Sequence, residues 1–536
     1  MNRRRHGRDR TPSVSSDTLE VDVVLHPDAS LSEEEIRHAA ARAAKIPTHE
    51  IIEHRVIRRA IDARRGRPRV RATVRLGVGA PLPSRHPWIP ESLPTPSGPP
   101  VVVIGGGPAG LFCALGLARR GLRCVVLERG KPVRERRRDL AALTQRGALD
   151  PESNYCFGEG GAGTFSDGKL YTRSKKRGQI RDILETLVRY GAPEDILVNA
   201  RPHIGTNRLP KVISAMRSHL EEAGVTVRFQ ARAQAFDTRA GEIRGVVLAD
   251  GTEIPAAAVV LAPGHSSVEI VDAAADAGAA RASKSFAMGV RIEHPQPFID
   301  RVQFGSLAGH RALGAASYRL VEQVHGTGVF SFCMCPGGVM VPAATQPGHQ
   351  VVNGWSPARR KGRFANSGFV TEIGPRQLAA AGLDPEDVTA GSQLQTNLER
   401  RAFTAGGGAF VAPAQTLLDL VSGTSGHPLP PSSYHRGLRQ VDLNDVLGPL
   451  ALPIKEALVL LDAKMPGFVS HDAVAVGVES RTSSPVRLMR DSETLESIGL
   501  RGLYPCGEGA GYAGGIISAA LDGLNVALAV RPPAAA

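Results

Sequence analysis

Residues 100–110 read Pro100-Val101-Val102-Val103-Ile104-Gly105-Gly106-Gly107-Pro108-Ala109-Gly110, an apolar run followed at once by a glycine-rich turn. Continuous apolar residues are typical of a parallel strand that is covered on both faces. We predict a helix after the turn, to about Arg120, and a second apolar strand at 124–127 that ends at Glu128. Strand, glycine turn, helix and acidic strand end together predict a Rossmann-type βαβ unit that binds a dinucleotide.

Each part of this motif has a physical task. Gly105 permits the tight turn, Gly107 lets the backbone approach a pyrophosphate, and Gly110 allows the helix to pack against the strand. The helix N-terminus favours phosphate charge, and Glu128 is expected to accept hydrogen bonds from ribose hydroxyls. The predicted dinucleotide-binding residues of this unit are Gly105, Gly107, Pro108, Ala109, Gly110, Glu128 and Arg129.

A second match to the same glycine pattern lies at residues 158–163, Gly158-Glu159-Gly160-Gly161-Ala162-Gly163. No apolar strand precedes it, and basic residues follow where an acidic strand end should be. This second match is therefore not interpreted as a Rossmann turn. The first match has the full βαβ context, and it is where we predict the dinucleotide.

Residues 503–517 resemble the second FAD segment of the glutathione-reductase-like flavoproteins, in which a short strand ends in Gly-Asp. Here the acid is Glu508, and the resemblance implies that it contacts the ribityl chain. A helix from about Gly515 to Ala527 would direct its N-terminal dipole at the flavin. The resemblance implies further contacts to FAD from Gly163, Ala233, Gly264, Gly507, Glu508, Gly515 and Ile516.

Longer motifs resemble the family labelled uncharacterised FAD-dependent dehydrogenases. They lie at residues 61–64, 158–170, 335–338, 353–356, 365–367 and 479–487. The resemblance implies a flavin and a redox role, and it names no substrate. We expect hydride transfer between a small molecule and flavin N5. Because no second strand–glycine turn–helix is present, NAD(P)H is expected at most as a transient electron donor.

The predicted fold class is α/β: a Rossmann-type FAD-binding domain with an inserted antiparallel-sheet substrate domain and a small N-terminal βαββ domain. A chain of 536 residues exceeds what one hydrophobic core supports. The predicted segments are a disordered basic arm (1–18), the βαββ domain (19–80), a proline-rich linker (81–99), the first part of the FAD-binding domain (100–282), the substrate domain (283–464) and the C-terminal part of the FAD-binding domain (465–530).

Polar residues near the expected flavin are the candidates for catalysis. Lys169 would polarise the flavin or a substrate carbonyl; alternatively, it neutralises the pyrophosphate or pairs with Asp167. Arg481 would bind an anionic substrate through two hydrogen bonds; alternatively, it pairs with Glu479 and anchors its loop. The candidates for the substrate pocket are Tyr318, Trp355, Asn366 and Arg487, for which core packing or loop support is an equal alternative.

The formal net charge of +13 leaves other function classes open. Arginines concentrate between Arg55 and Arg75, which allows an RNA-linked flavoprotein with a basic N-terminal module. General compositional bias toward arginine is the other explanation. A flavin monooxygenase and a flavin-stabilised scaffold without turnover are further alternatives.

The cysteine spacing and the hydropathy of the chain argue against metal-binding and membrane-spanning proteins. Six cysteines show no zinc spacing, so we expect no metal, and Cys333 and Cys335 form only a C-x-C that we expect in a core. No apolar run approaches the roughly 18 residues of a membrane helix, and none follows the basic N-terminus. We therefore expect a cytoplasmic protein with a small-molecule substrate and no membrane partner; the oligomeric state stays open.

Overall fold

The computed structural model describes residues 18–64, 67–84, 87–170 and 180–531. The basic arm predicted for residues 1–18 lies outside these ranges except for Thr18, and so does Arg65 of the arginine-rich N-terminal module. Within the described ranges the chain forms a mixed α/β structure with five β-sheets.

The N-terminal unit contains β1 (Thr18–Leu25), α1 (Glu33–Ala44), β2 (Ile51–Asp62) and β3 (Arg69–Val78). Its antiparallel sheet has the order β1-β3-β2. Helix α1 begins after Ser32, whose Oγ accepts the N–H of Glu35 at 3.2 Å. The helix buries Ile36 and Ala40 in one apolar core that also includes residues of the large sheet described below.

Several of the clustered arginines in this unit form ion pairs with neighbouring strands. Arg64 and Arg71 lie 2.7 and 2.9 Å from Asp62, and Arg75 lies 2.6 Å from Glu20. These three arginines share two carboxylates, so their positive charge is only partly neutralised. The RNA-linked alternative stays a prediction.

The next part of the chain alternates strands and helices around the glycine turn. Its elements are β4 (Ser97–Ile104), α2 (Pro108–Arg119), β5 (Leu122–Leu127), α3 (Val133–Arg146), α4 (Ile180–Arg189), α5 (Leu209–Glu222), β6 (Thr226–Arg228), β7 (Ala233–Arg239), β8 (Glu242–Leu248), β9 (Glu253–Pro255), β10 (Ala258–Leu261) and α6 (Val268–Asp276). Strands β7, β8 and β9 form an antiparallel sheet of their own.

Residues 281–488 form most of a second layer. Its elements are β11 (Arg281–Ser283), β12 (Phe286–Pro295), α7 (Gln296–Phe304), β13 (Val321–Val324), β14 (Thr327–Pro342), β15 (Val352–Trp355), β16 (Phe364–Ile373), α8 (Pro375–Ala380), α9 (Ala390–Gly406), β17 (Ala412–Thr416), α10 (Leu417–Ser422), β18 (Leu438–Gln440), α11 (Leu443–Leu447), α12 (Ala451–Lys464), β19 (Val474–Glu479) and β20 (Val486–Leu488). Its eight-stranded sheet has the order β13-β14-β16-β12-β19-β17-β18, with β15 on β14, and only β17 and β18 pair in parallel. Strands β11 and β20 form a separate two-stranded ribbon.

Two last elements, β21 (Leu503–Pro505) and α13 (Ile516–Ala529), return the chain to the glycine turn. Strand β21 pairs with β10, which completes a parallel sheet of order β21-β10-β4-β5-β6. Helices α2 and α13 pack on each other. A Cβ on Gly116 would lie 2.6 Å from the Cβ of Ala527, so this glycine permits the close helix contact.

Two segment boundaries differ from the sequence-based ones. Strand β4 begins at Ser97, within the segment predicted as linker (81–99), because Ser97 pairs with Leu122. Strand β19 lies within the segment 465–530, which was assigned to the FAD-binding domain, yet it pairs with β12 and β17 of the eight-stranded sheet. All its residues are buried, and a uniformly apolar strand carries no sequence mark of the sheet that it joins.

Candidate cofactor and active site

The carboxyl ends of the parallel strands and the N-termini of α2 and α13 open on one cleft. Ligands of open α/β sheets bind at this edge. The structure brings most of the predicted cofactor residues together along the cleft wall: Gly105, Gly107, Pro108, Ala109, Glu128, Arg129, Gly163, Ala233, Gly264, Glu508, Gly515 and Ile516.

Gly110 and Gly507 have packing roles behind this wall. A Cβ on Gly110 would lie 1.9 Å from the carbonyl oxygen of Gly105, so only glycine lets α2 approach the turn this closely. The N–H of Gly507 donates to Asp522 at 2.8 Å, and a Cβ at Gly507 would lie 2.7 Å from the Cβ of Ala109. Both glycines therefore shape the cleft without lining it.

Glu128 holds the backbone around the turn. Its carboxylate accepts N–H groups from Gly106 at 2.8 Å and from Gly130 and Gly158 at 2.9 Å. The side chain is buried yet reaches the cleft wall. Glu128 thus joins three loops through charge-assisted hydrogen bonds, a task that the sequence did not reveal. Its contact with a ribose stays a prediction.

The second glycine-rich segment lies directly on the first. The N–H of Gly160 donates to the carbonyl of Gly106 at 2.9 Å. Behind the segment, the fully buried guanidinium of Arg136 donates to the carbonyls of Asn154, Gly158, Glu159 and Tyr155. Burial lowers the pKa of Arg136 to about 10, so the group remains charged at neutral pH. Sequence analysis missed Arg136, whose only signal is its place in an arginine-rich helix.

The cleft fits a dinucleotide such as FAD. No side chain among the described residues caps α2 at Gly107 or α13 at Gly515, so the first-turn N–H groups of both helices are available at the cleft. Helix N-termini of this kind stabilise phosphate charge. A Cβ on Gly264 or Gly515 would meet nothing within 4 Å, so open space for a ligand adjoins their backbone.

Lys169 lies on the cleft wall and is held in an ion network. Its Nζ is 3.1 Å from Asp167, which also accepts two hydrogen bonds from Arg360 at 2.6 and 3.3 Å. Burial raises the pKa of Asp167, but Lys169 and Arg360 outweigh it and lower the pKa to about 2. Burial opposes the charge on Lys169, yet Cys333, Cys335 and Asp167 raise its pKa above the usual value. The pairing with Asp167 is present, and Lys169 nevertheless lines the cleft.

Arg481 also lines the cleft, with a partner that differs from the expected one. Its guanidinium donates from Nε and Nη2 to the two carboxylate oxygens of Glu399, at 2.6 and 2.9 Å. Burial raises the pKa of Glu399, but the Arg481 charge and three hydrogen bonds lower it overall. Glu479, the expected partner, instead accepts from the buried Arg291 at 2.9 Å. Glu399 and Arg481 lie far apart in the sequence, so no local pattern predicts that they pair.

The four substrate candidates do not line this cleft. Tyr318 is buried with its ring edge-on to Phe468, and Asn366 is buried with its Oδ1 accepting from Arg291 at 3.0 Å. Arg487 lies over the ring of Tyr512 and donates to the carbonyl of Gly511 at 3.3 Å. Trp355 lies in β15, and from that strand Asn353 reaches the cleft. A substrate role for these four residues stays a prediction.

Cys156 and His265 line the cleft and were missed by sequence analysis. Burial works to lower the pKa of His265, but a hydrogen bond to Cys156 and the carboxylate of Glu508 raise it overall. Burial raises the pKa of Cys156, and His265 reverses this so that the net shift is downward. His265 Nδ1 lies 3.9 Å from Glu508. The sequence feature that could have indicated His265 is its position directly after the Ala262-Pro263-Gly264 turn.

Two findings concern metal and membrane. Within the described ranges, Asp419, His427 and His471 form one group whose ligand atoms could hold an ion, although Asp419 already accepts from His427 at 2.6 Å. The absence of a metal stays a prediction. No helix in the described part of the chain is both long and apolar enough for a membrane span. Localisation stays a prediction as well.

Comparisons with known proteins agree with the cleft geometry. Residues 100–138 match a family model described as an FAD binding domain, and residues 285–482 match one described as an FAD-dependent protein, C-terminal domain-like. Residues 18–77 match a domain of unknown function. The chain is 42% identical over 433 residues to an uncharacterised protein of Clostridium beijerinckii, covering 80% of this chain and 79% of that protein. The chain belongs to the family of that clostridial protein.

The family models establish FAD as the cofactor. Since flavin chemistry is electron transfer, the chain is an FAD-dependent oxidoreductase. Among solved structures, it resembles a geranylgeranyl bacteriochlorophyll reductase-like protein from Thermoplasma acidophilum (12% identity, 80% of this chain, 77% of that chain, TM-score 0.34). It also resembles a flavocytochrome c3 fumarate reductase in an open conformation (12% identity, 81% and 78% covered, TM-score 0.33). These scores are too low to support any statement about substrate.

Proposed function

We propose that this family member transfers hydride between a small-molecule substrate and bound FAD, as a dehydrogenase or reductase. The observation that carries the proposal is that Lys169, Asn353, Arg481 and Thr482 line the same cleft as the cofactor residues. When bound, FAD supplies the two-electron carrier. The chain's own residues must then orient the substrate and stabilise charge.

Lys169 is suited to electrostatic stabilisation and not to proton abstraction. Its raised pKa keeps the ammonium charged at neutral pH, and Asp167 and Arg360 fix its position. A fixed cation in a partly dry cleft favours negative charge that develops on a substrate oxygen or on the cofactor. Lys169 therefore acts as a fixed positive charge on the cleft wall.

Arg481 is a second cation on the wall of this cleft. Glu399 occupies its Nε and Nη2, and its Nη1 makes no hydrogen bond within the described residues. The guanidinium has five N–H donors, so one edge remains available to an anionic or carbonyl-bearing substrate. The pair with Glu399 keeps this edge in one orientation. NAD(P)H as a transient donor belongs to the same proposal.

The visible spectrum of purified protein tests this function. We expect a bound flavin that is released as FAD on denaturation, and that is bleached anaerobically by NADH, by NADPH or by a substrate found by screening. Lys169→Met should slow this reduction by roughly 100- to 1000-fold, the usual loss when one stabilising group is removed. Lys211→Met, at an exposed position on α5, is the matched control. A colourless protein that cannot be reconstituted with FAD would contradict the proposal.

A further inference from the structure

Strand β14 carries a bulge beside the cleft. Phe332 pairs with Gly368 and Cys335 with Asn366, so β14 has one more residue than β16 over this stretch. Cys333 within the bulge has a φ of 47°, in the left-handed region. The bulge places Cys333 on the cleft wall, while Cys335 is fully buried behind it. Both are free cysteines.

Two cations lie against these two thiols. Lys169 Nζ is 3.7 Å from the Sγ of Cys333 and 3.6 Å from that of Cys335. Nη2 of Arg291 is 3.8 Å from the Cys335 Sγ, and it also donates to the carbonyl of Cys333 at 3.0 Å. Positive charge beside a thiol favours the thiolate.

The two sulfurs also affect each other directly. A hydrogen bond from the Cys333 thiol, together with Lys169 and Arg291, holds the pKa of Cys335 below its usual range despite burial. The same hydrogen bond and burial raise the pKa of Cys333. In the geometry of the fold, the Cys335 thiol donates to the carbonyl of Cys333 at 3.2 Å, and both sulfurs face the same ammonium group of Lys169. A thiol and a thiolate held side by side in this way can join in a disulfide when an oxidant removes two electrons.

Three other buried cysteines, in α2, in β5 and directly after β21, have different surroundings. Burial raises the pKa of Cys113, Cys124 and Cys506 above the ordinary value, and none of the three lines the cleft. These thiols are expected to be inert. The cationic surroundings of Cys333 and Cys335 are thus not a general property of cysteine in this fold.

We propose that Cys333 and Cys335 form a redox-active dithiol that exchanges two electrons with FAD bound in the cleft that Cys333 lines. The proposal rests on the proposed function for the presence of FAD. When the Cys335 thiolate and the Cys333 thiol join in an S–S bond, the pair loses two electrons and the Cys333 proton. Both electrons and that proton pass to oxidised FAD, which is left as the singly protonated reduced anion. The reverse reaction restores the thiolate and the thiol.

An anaerobic dithionite titration of air-oxidised holoenzyme tests the proposal. We expect the wild type to take up about four electrons per FAD, because the flavin and a disulfide each accept two. Cys333→Ser and Cys335→Ser should each take up about two. Cys124→Ala, which removes a buried cysteine outside the pair, should retain the wild-type uptake.

Thiol alkylation gives a second readout that needs no variant. Air-oxidised wild type, denatured in N-ethylmaleimide, should show two fewer modified cysteines than reduced protein, with residues 333 and 335 linked in one peptide by mass spectrometry. A wild type that takes up about two electrons per FAD and alkylates fully would overturn the dithiol and leave the hydride-transfer proposal intact. A protein without any FAD would instead overturn the proposed function.

Discussion

The N–H of Gly160 donates to the carbonyl of Gly106 at 2.9 Å, which joins the two glycine-rich segments of the chain. The carboxylate of Glu128 reinforces this joint by accepting from Gly106 and Gly158. In this part of the cleft wall, two stretches of backbone therefore pack directly on each other, and glycines occupy the positions where they touch. The Cβ of a residue in place of Gly161 would lie 3.1 Å from the Cα of Gly107.

Glu128→Gln should weaken this joint. A neutral amide offers one acceptor oxygen and two donors, so it cannot accept all three N–H groups that the carboxylate now accepts. We expect the free energy of unfolding to fall by about 1–3 kcal/mol and FAD affinity to fall with it. Urea unfolding and flavin fluorescence titration measure the two effects. Glu253→Gln, at an exposed position on β9, should change neither. Unchanged stability of Glu128→Gln would count against the bridging role.

Substitutions of Gly107 and Gly110 should separate binding from folding. Gly110→Ala places a Cβ 1.9 Å from the Gly105 carbonyl and should prevent a stable fold. Gly107→Ala meets only the Cα of Gly161, at 3.8 Å, so the apoprotein should lose no more than about 1 kcal/mol of stability. Its methyl group would still obstruct a pyrophosphate at the helix N-terminus. Far-UV circular dichroism and FAD content are the measurements, and full FAD content in Gly107→Ala would disprove the assignment.

Asp167 should make stability depend on acid pH. Its folded pKa of about 2 lies below the ordinary value, so its contribution is present above about pH 4 and is lost as the pH falls toward 2. The loss should amount to roughly 2 kcal/mol. Asp167→Asn should be less stable than wild type at pH 7, and the difference should narrow by that amount at low pH. Urea unfolding between pH 2 and pH 7 measures it.

Asp276→Asn, at an exposed position, is the control for this pH series and should follow the wild-type curve. Parallel curves for Asp167→Asn and wild type would show that the carboxylate near Lys169 contributes nothing to acid stability.

Arg481→Lys should destabilise the protein by weakening the pair with Glu399. The Arg481 side chain is 10% exposed and makes two hydrogen bonds to Glu399, whereas a lysine cannot form this planar fork. We expect a loss of about 1–3 kcal/mol in the free energy of unfolding. Arg501→Lys, whose side chain is 68% exposed, should change it by less than about 0.5 kcal/mol. Equal effects of the two substitutions would contradict a structural role for the Glu399 pair.

Local sequence patterns were enough to predict those residues whose role depends on the conformation of the backbone close to them in the chain. Gly105, Gly107 and Glu128 could be placed on one cleft wall from the sequence, because a tight turn, a close approach and an acidic strand end follow one another within about thirty residues. Lys169 was a candidate from the sequence, and its predicted pairing with Asp167 is present. Arg136, Glu399 and Cys333 were missed or undervalued, since their roles depend on partners that lie far along the chain.

The sequence by itself determined the strand–glycine turn–helix unit at residues 100–119, because glycine and apolar spacing report directly on local backbone geometry. Only the tertiary structure decided which charges meet. It paired Arg481 with Glu399, gave Glu479 to Arg291, and moved β19 into the eight-stranded sheet. The bulge in β14 then set two ordinary cysteines beside two cations. Such pairings depend on long-range packing, which a one-dimensional pattern of residue types does not encode.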